Sequence, residues 1–168
     1  MAQIVNNNNT SEGLTPFPPF KVEITTSKIK ECLDSLGIEC EEGLSSVPFR
    51  YEEENWLIIT DSIPMITLVK RYSLEEEDRM IANAVASDVT SSGRLAHCII
   101  EDDDEGNAES ITFIASWVEL SIDHFKQVLR EYITIVNNAV GVSRYYFNRY
   151  NEDSKQKIAA ERYPDLEQ

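Results

Sequence analysis

The chain has 168 residues, enough for one domain whose core needs neither disulfides nor metal to fold. It carries 15 lysine and arginine residues against 30 aspartate and glutamate residues, a formal net charge of −15. A field of this sign repels phosphate backbones and anionic lipid headgroups, so the composition disfavours nucleic acids and membrane surfaces as partners.

Two segments precede the first predicted strand. Residues 1–20 predict a disordered arm, because an asparagine tract is followed by prolines that favour extended chain. Residues 26–36 predict a helix that ends at Gly37, since glycine commonly adopts the left-handed conformation just after a helix. The apolar stripe of this helix is Ile29, Cys32, Leu33 and Leu36.

Three strands are predicted over residues 47–53, 56–60 and 65–72, because β-branched and aromatic residues dominate them. A polar loop over residues 39–46 precedes these strands, and residues 53–55 supply the tight turn between the first two. The third strand places Ile66, Leu68 and Tyr72 in one apolar row, which Lys70 interrupts.

A second helix is predicted to start at Ser73, which has the spacing of a capping box with Glu76. Its buried stripe is Ile81, Ala84, Val85 and Val89. A hairpin follows, with strands over residues 95–100 and 110–118 and a loop over residues 102–107. The second hairpin strand places Ile111, Phe113, Ala115 and Trp117 on one face.

A third helix is predicted to start after Ser121, whose hydroxyl suits the N-cap position. Its stripe is Phe125, Val128, Leu129, Tyr132, Val136 and Ala139. Gly141 either ends this helix or lies within it, and residues 142–163 are predicted as further helix.

The predicted order of elements is α-βββ-α-ββ-α. Runs of hairpin-linked strands separated by helices favour an α+β fold, with an antiparallel sheet of about five strands and helices packed on it. We expect a single domain over residues 21–150, the disordered arm before it, and a charged tail over residues 151–168 for which helix is one option.

Two acidic runs are candidate ion or catalytic sites. In residues 101–105, an EF-hand alignment with Gly106 at position 6 places Thr112 at position 12, where a glutamate should close the site. A solvated hairpin tip is therefore the favoured interpretation, with calcium binding left open. Residues 52–54 lie at a turn, where carboxylates stay hydrated and are poorly suited to acid–base catalysis.

The histidines and cysteines do not predict a reactive group. His97 and Cys98 are strand neighbours, so their side chains point to opposite faces, and His124 falls in an exposed helical turn. Cys32 and Cys98 lie among apolar neighbours and are expected to be buried, and with Cys40 they form an odd set that favours free thiols in a reducing compartment. We find no catalytic, metal or cofactor motif and expect a protein that is not an enzyme.

An aromatic cluster near the C-terminus is the candidate partner-binding site. Its members are Tyr145, Tyr146, Phe147 and Tyr150. Aromatic side chains bury large areas at low entropic cost and are enriched at interfaces. The alternative is that Tyr146 and Phe147 pack the end of the third helix onto the sheet. Trp56 and Trp117 are expected in the core.

Residues 26–147 resemble the YbjN-like sensory-transduction-regulator domains and, through them, the type III secretion chaperone fold. The resemblance rests on the order of elements, on Asn83 within RMIANAV, and on LAHCIIEDDDEGNAESITFIASW followed by SIDHFKQVLREYI. The asparagine- and proline-rich arm and the charged tail depart from the compact pattern of the family. The resemblance implies a non-enzymatic protein that binds a partner, often as a dimer, and it brings no catalytic residues.

We therefore expect a cytoplasmic protein-interaction module, chaperone-like or regulatory, that binds a protein partner of unknown identity. A homodimer is one assembly that this interpretation allows, and neither nucleic acid, membrane nor cofactor is expected to bind. The alternative is a small-molecule or ion-binding domain, or an enzyme of unfamiliar type.

Overall fold

One antiparallel sheet of six strands organises the described part of the chain. A computed structural model describes residues 24–61, 63–92 and 95–162. Along the chain, these residues form α1 (Thr26–Ser35), β1 (Glu39–Cys40), β2 (Ser46–Tyr51), β3 (Glu54–Ile59), β4 (Met65–Ser73), α2 (Glu76–Arg79), α3 (Ala82–Ser91), β5 (Ala96–Asp102), β6 (Ala108–Val118) and α4 (Ile122–Arg162). The strand order is β1-β2-β3-β4-β6-β5, and every neighbouring pair is antiparallel. The predicted α+β class is confirmed, with one strand more than expected.

The additional strand lies in the segment predicted as a polar loop. Glu39 and Cys40 of β1 pair with Arg50 and Phe49 of β2. The sequence gives no strand pattern here, because the pairing is held by backbone hydrogen bonds. These continue past the strand, from the Glu41 N–H to the Pro48 carbonyl at 3.0 Å and from the Gly43 N–H to the Ser46 carbonyl at 2.8 Å. The sheet edge formed by β1 itself is very short.

The turn between β2 and β3 lies one residue earlier than predicted. Glu52 and Glu53 form a two-residue loop with φ values of 51° and 65°, and Tyr51 pairs with Glu54. Two left-handed residues match the twist of a tight hairpin. This register places Phe49 opposite Trp56, and both side chains are buried on the same face of the sheet. The expected core position of Trp56 is confirmed.

The predicted capping box after β4 is wrong. Ser73 is the last residue of β4 and pairs with Ser110 of β6, so it continues the sheet instead of starting a helix. Helix α2 begins only at Glu76, and the N-cap Glu75 makes no side-chain capping bond. Long-range strand pairing therefore outweighs the local capping pattern. In α3, Ala82 and Ala86 are buried together with Val85 and Val89, whereas the predicted core residue Ala84 is exposed.

Helix α4 is continuous across Gly141 as far as Arg162. The Ser121 hydroxyl accepts a hydrogen bond from the His124 N–H at 3.2 Å, which confirms the predicted cap. The Trp117 ring stacks on Tyr132 of this helix, with centroids 4.0 Å apart, so the helix lies across the buried face of β6. The helix passes residue 150, which was the expected end of the domain.

The core lies between the sheet and helices α1, α3 and α4. Its largest fully buried side chains include Phe113, Phe125, Ile29, Leu33 and Leu129. The alternation predicted for β6 is confirmed, because Ile111, Phe113, Ala115 and Trp117 are all buried on the helix side. Within the described residues, no helix is long and apolar enough to cross a bilayer. The predicted arm over residues 1–20 lies outside the described residues.

Candidate functional site

The aromatic cluster predicted as a partner site is divided by its packing on the helix. Phe147 is buried in the core, whereas Tyr145 is exposed. The Tyr150 hydroxyl donates to Asp88 Oδ2 of α3 at 2.6 Å, and this bond raises the pKa of Tyr150. Tyr146 stacks on Tyr150 with ring centroids 6.5 Å apart. Much of the cluster therefore fastens α4 to α3, and its role in binding a partner stays a prediction.

The acidic hairpin tip is organised by its own backbone. Asp103 Oδ1 accepts hydrogen bonds from the backbone N–H groups of Asn107 at 2.8 Å and Glu105 at 2.9 Å. These bonds stabilise the ionised carboxylate and lower the pKa of Asp103. Among the residues that the structure describes, no three His, Cys, Asp or Glu side chains are placed to hold a metal ion.

The thiols and histidines are separated as predicted. His97 is exposed and Cys98 is buried, so the two side chains lie on opposite faces of β5. Burial raises the pKa of Cys98 to about 12, and burial together with a hydrogen bond to Asp34 raises the pKa of Cys40 to about 11. Both thiols are therefore protonated and weakly nucleophilic at neutral pH. His124 Nδ1 lies 2.8 Å from the carboxylate of Glu119, at the start of α4.

The face of the sheet opposite α1, α3 and α4 is the largest feature that the sequence did not reveal. We call this surface the outer face. The strand register places five side chains in one row across it: Pro48, Leu57, Val69, Ile114 and His97. The rows on either side are mixed: Ile59 lies in a row with Thr67 and Ser116, and Ile99 lies in a row with Arg71 and Thr112. The cross-strand pair of Met65 and Val118 lies one row beyond Thr67 and Ser116. Four of the five residues in the first row are therefore apolar, and four apolar side chains lie near it.

These apolar side chains are substantially exposed. The accessible fractions are 45% for Met65, 44% for Ile99 and 64% for Val118, while Leu57 and Ile114 are half-buried. Five strands about 4.8 Å apart and about six residues long give the whole outer face, polar positions included, an area of roughly 500 Å². Clustered exposed apolar residues on monomers are often functional, whereas single exposed apolar residues are ordinary.

The outer face contains a shallow hollow of about 360 Å³ near its middle. Leu57, Ile59 and Val69 form its apolar floor. Arg71 and Glu101 border it, and they are joined by an ion pair of 2.7 Å. A bulky side chain of a partner would gain buried apolar contact in this hollow.

The edges of the sheet are less accessible than its outer face. At β5, the Thr90 hydroxyl of α3 accepts from the Cys98 N–H at 3.1 Å and lies 3.3 Å from the Cys98 carbonyl oxygen. This side chain occupies the backbone groups that an added strand would need at that position. At the other edge, β1 contains only two residues. One position of the β5 edge is thus occupied and β1 offers only a short edge, whereas the helices that pack on the sheet within the described residues lie on its other face.

A buried cation lies on the helix side of the sheet. The Lys70 side chain is only 2% exposed; its ammonium pairs with Glu54 and donates to Asn137 Oδ1 of α4 at 2.8 Å. The same nitrogen lies 4.2 Å from the centre of the Trp56 ring. Next to this pair is a cleft of about 350 Å³ that also includes Arg144. The residue that interrupted the apolar row of β4 therefore joins the sheet to α4.

Three acidic runs that are far apart in sequence meet at one end of the sheet. Residues 52–54 form the β2–β3 turn, residues 75–78 follow β4, and residues 101–105 end β5 and begin the loop to β6. The antiparallel order brings these strand ends together: the Leu74 N–H donates to the Glu109 carbonyl at 2.9 Å. The opposite end of the sheet carries the exposed apolar pair Met65 and Val118.

Comparison with known proteins identifies the fold. No protein-family model and no curated protein matches the chain. The structure of YbjN from E. coli, described as a candidate transcription regulator, matches with a TM-score of 0.60 and 11% identity over 75% of this chain and 94% of that one. The structure of an uncharacterized protein from Methanothermobacter thermautotrophicus matches with a TM-score of 0.52 and 16% identity over 76% of this chain and 99% of that one. These similarities show a YbjN-like fold, as expected from the sequence.

Proposed function

We propose that this chain, a YbjN-like α+β domain, is a non-enzymatic protein-interaction module with a chaperone-like or regulatory role. The observation that carries the proposal is the open outer face, where apolar side chains on five neighbouring strands remain accessible. Burying such a surface against a partner is favourable by about 25 cal/mol per Å² of apolar area, before the costs of association.

The chemistry of the described side chains supports binding over catalysis. Cys40 and Cys98 are held as neutral thiols, and Lys70 is engaged by Glu54 and Asn137. The description of YbjN as a candidate transcription regulator supports the regulatory form of the proposal. With a net charge of −15, regulation through protein contacts is favoured over direct contact with a nucleic-acid backbone.

The proposal includes a cytoplasmic location, which three free cysteines support because disulfides dominate in oxidising compartments. It also includes a homodimer as an alternative assembly through the outer face. Sedimentation across a range of protein concentrations distinguishes the two assemblies, since only self-association raises the mass of the isolated chain.

Site-specific photo-crosslinking in cells tests the outer face directly. A benzoylphenylalanine residue replaces Ile99 on the outer face or, as a matched control, the exposed Gln127 on α4. We expect a discrete crosslinked protein from position 99 and none from position 127. The same products from both positions, or none from position 99 under several growth conditions, would contradict the proposal.

A second candidate function is small-molecule binding in the cleft beside Lys70. The cleft brings Glu52, Lys70 and Arg144 together within about 350 Å³, a volume at the lower end of ligand sites. A thermal-shift screen with a metabolite panel tests this function, because a ligand at a hundredfold excess over its dissociation constant stabilises the folded state by about 2.7 kcal/mol. If no compound raises Tm, or if every rise in Tm persists in the Arg144→Gln variant, small-molecule binding in this cleft is contradicted.

A further inference from the structure

We propose that the occupant of the outer face is a basic, amphipathic segment of a partner protein. This inference rests on the proposed interaction function and specifies the chemistry of the partner. It combines two properties of the surface: an apolar area that requires apolar side chains, and a concentration of carboxylates at one end of that area.

The apolar part of the segment is defined by the outer face itself. Side chains from β3, β4, β6 and β5 share this face, which has a hollow over Leu57 and Val69. A partner segment with one apolar side can cover this surface, because its apolar side chains lie along the row and the largest enters the hollow. A uniformly polar segment would leave the apolar row in contact with water and would gain little binding free energy.

The basic part of the segment is defined by the acidic end of the sheet. Residues 52–54, 75–78 and 101–105 meet there, and Glu109 adds a further carboxylate. Lysine or arginine side chains at one end of the bound segment would lie opposite these groups. Complementary charge accelerates the encounter and fixes the direction in which the segment lies.

Two of the cations near this end are already engaged. Arg71 pairs with Glu101 at 2.7 Å and donates from Nε to Ser110 Oγ at 2.8 Å. Lys70 is buried against Glu54. Arg50 and Arg79 also lie near this end, but the three acidic runs and Glu109 hold 13 carboxylates, so a local excess of negative charge remains for a basic partner.

The same charge disfavours a second copy of the chain as occupant. Two sheets packed face to face lie about 10 Å apart, which is close to the Debye length of about 8 Å at physiological ionic strength. Each copy carries a net charge of −15, so self-association across the outer face must overcome a long-range repulsion. A basic segment is instead attracted by the same charge.

A defined peptide tests this inference with the full chain. The probe is a fluorescein-labelled 14-residue peptide of leucine and lysine, with leucines at helical spacing, and binding is measured by fluorescence anisotropy. A peptide of the same composition in scrambled order, and one with glutamate in place of lysine, serve as controls. We expect the amphipathic basic peptide to bind at least about tenfold more tightly than either control, and its affinity to fall as salt rises.

Paired variants locate the binding surface. Ile99→Ser with Val118→Ser removes two exposed apolar side chains and should weaken binding about tenfold without changing the charge. Asp104→Asn with Glu105→Gln removes two charges at the acidic end and should weaken binding more than Glu31→Gln with Glu131→Gln, which removes two charges from exposed positions on the helices. All six substituted positions are exposed, so the variants should fold.

Several outcomes overturn the inference. Three results would each show a non-specific attraction between opposite charges. The scrambled peptide binds as tightly as the amphipathic one, the two charge-pair variants lose the same affinity, or the variant with both apolar side chains replaced binds as tightly as the parent. If a second copy of the chain protects the outer face, the face has another occupant. The same holds if the full chain protects the face and a chain shortened by residues 1–23 does not. If crosslinking at position 99 captures a partner whose contacting segment is not basic, this inference fails while the proposed interaction function stands.

Discussion

The buried ion pair between Lys70 and Glu54 predicts unequal effects when either partner is removed. Glu54→Ala leaves an ammonium that is 2% exposed without its counterion, whereas Lys70→Met leaves a carboxylate that is 41% exposed and can hydrate. Removing one partner of a fully buried pair typically costs about 3–5 kcal/mol. Because water can reach the position of Glu54, and Asn137 still accepts from Lys70, we expect about 2 kcal/mol for Glu54→Ala.

Lys70→Met should cost less than about 1 kcal/mol, because replacement of a buried charge by an apolar side chain of similar length is often nearly neutral. The methionine would retain contact with the Trp56 ring, above which the ammonium now lies. In thermal terms, Glu54→Ala should lower Tm by about 4–8 °C in a chain of this length.

Urea unfolding followed by tryptophan fluorescence measures both variants, with Lys30→Met as the control. Lys30 belongs to an exposed i,i+4 pair with Asp34, so its replacement should leave the urea midpoint nearly unchanged. A Lys70→Met variant as destabilised as Glu54→Ala, or more so, would refute the argument that the cost comes from an uncompensated buried charge.

Three further predictions follow from local geometry. Glu52→Asn combined with Glu53→Gly should raise the free energy of unfolding by about 1 kcal/mol, because both residues have positive φ; an unchanged urea midpoint would contradict this. Cys98, whose pKa burial raises to about 12, should react with a disulfide reagent at pH 8 only as fast as the chain opens, so rapid labelling of the folded protein would be inconsistent with its environment. Tyr150→Phe should lower the urea midpoint by removing the bond to Asp88. Since that bond raises the pKa of Tyr150 above 10.0, its contribution should be complete below pH 10 and disappear as the pH rises further; a difference between Tyr150→Phe and the parent that stays constant up to pH 11 would contradict this.

The sequence predicted the parts of the fold that depend on neighbours along the chain. Alternation in residues 110–118 identified the buried side of β6, the helical spacing after Ser121 identified α4, and His97 and Cys98 were assigned to opposite faces. These predictions succeed because side-chain direction has a fixed period in each element. The sequence did not predict strand β1 and wrongly predicted a capping box at Ser73, because the structure of both segments depends on pairing with residues distant in sequence.

The functional surface depends almost entirely on such distant pairing. Residues 52–54 and 101–105 resemble hydrated turns when considered alone, and residues 75–78 fall in the predicted second helix. Only the antiparallel strand order places the three acidic runs at one end of the sheet. The outer face is likewise formed by half-exposed residues from separate strands, none of which is unusual by itself. Local periodicity thus determined which side chains share a face, whereas the tertiary structure decided which face received the helices and which remained open.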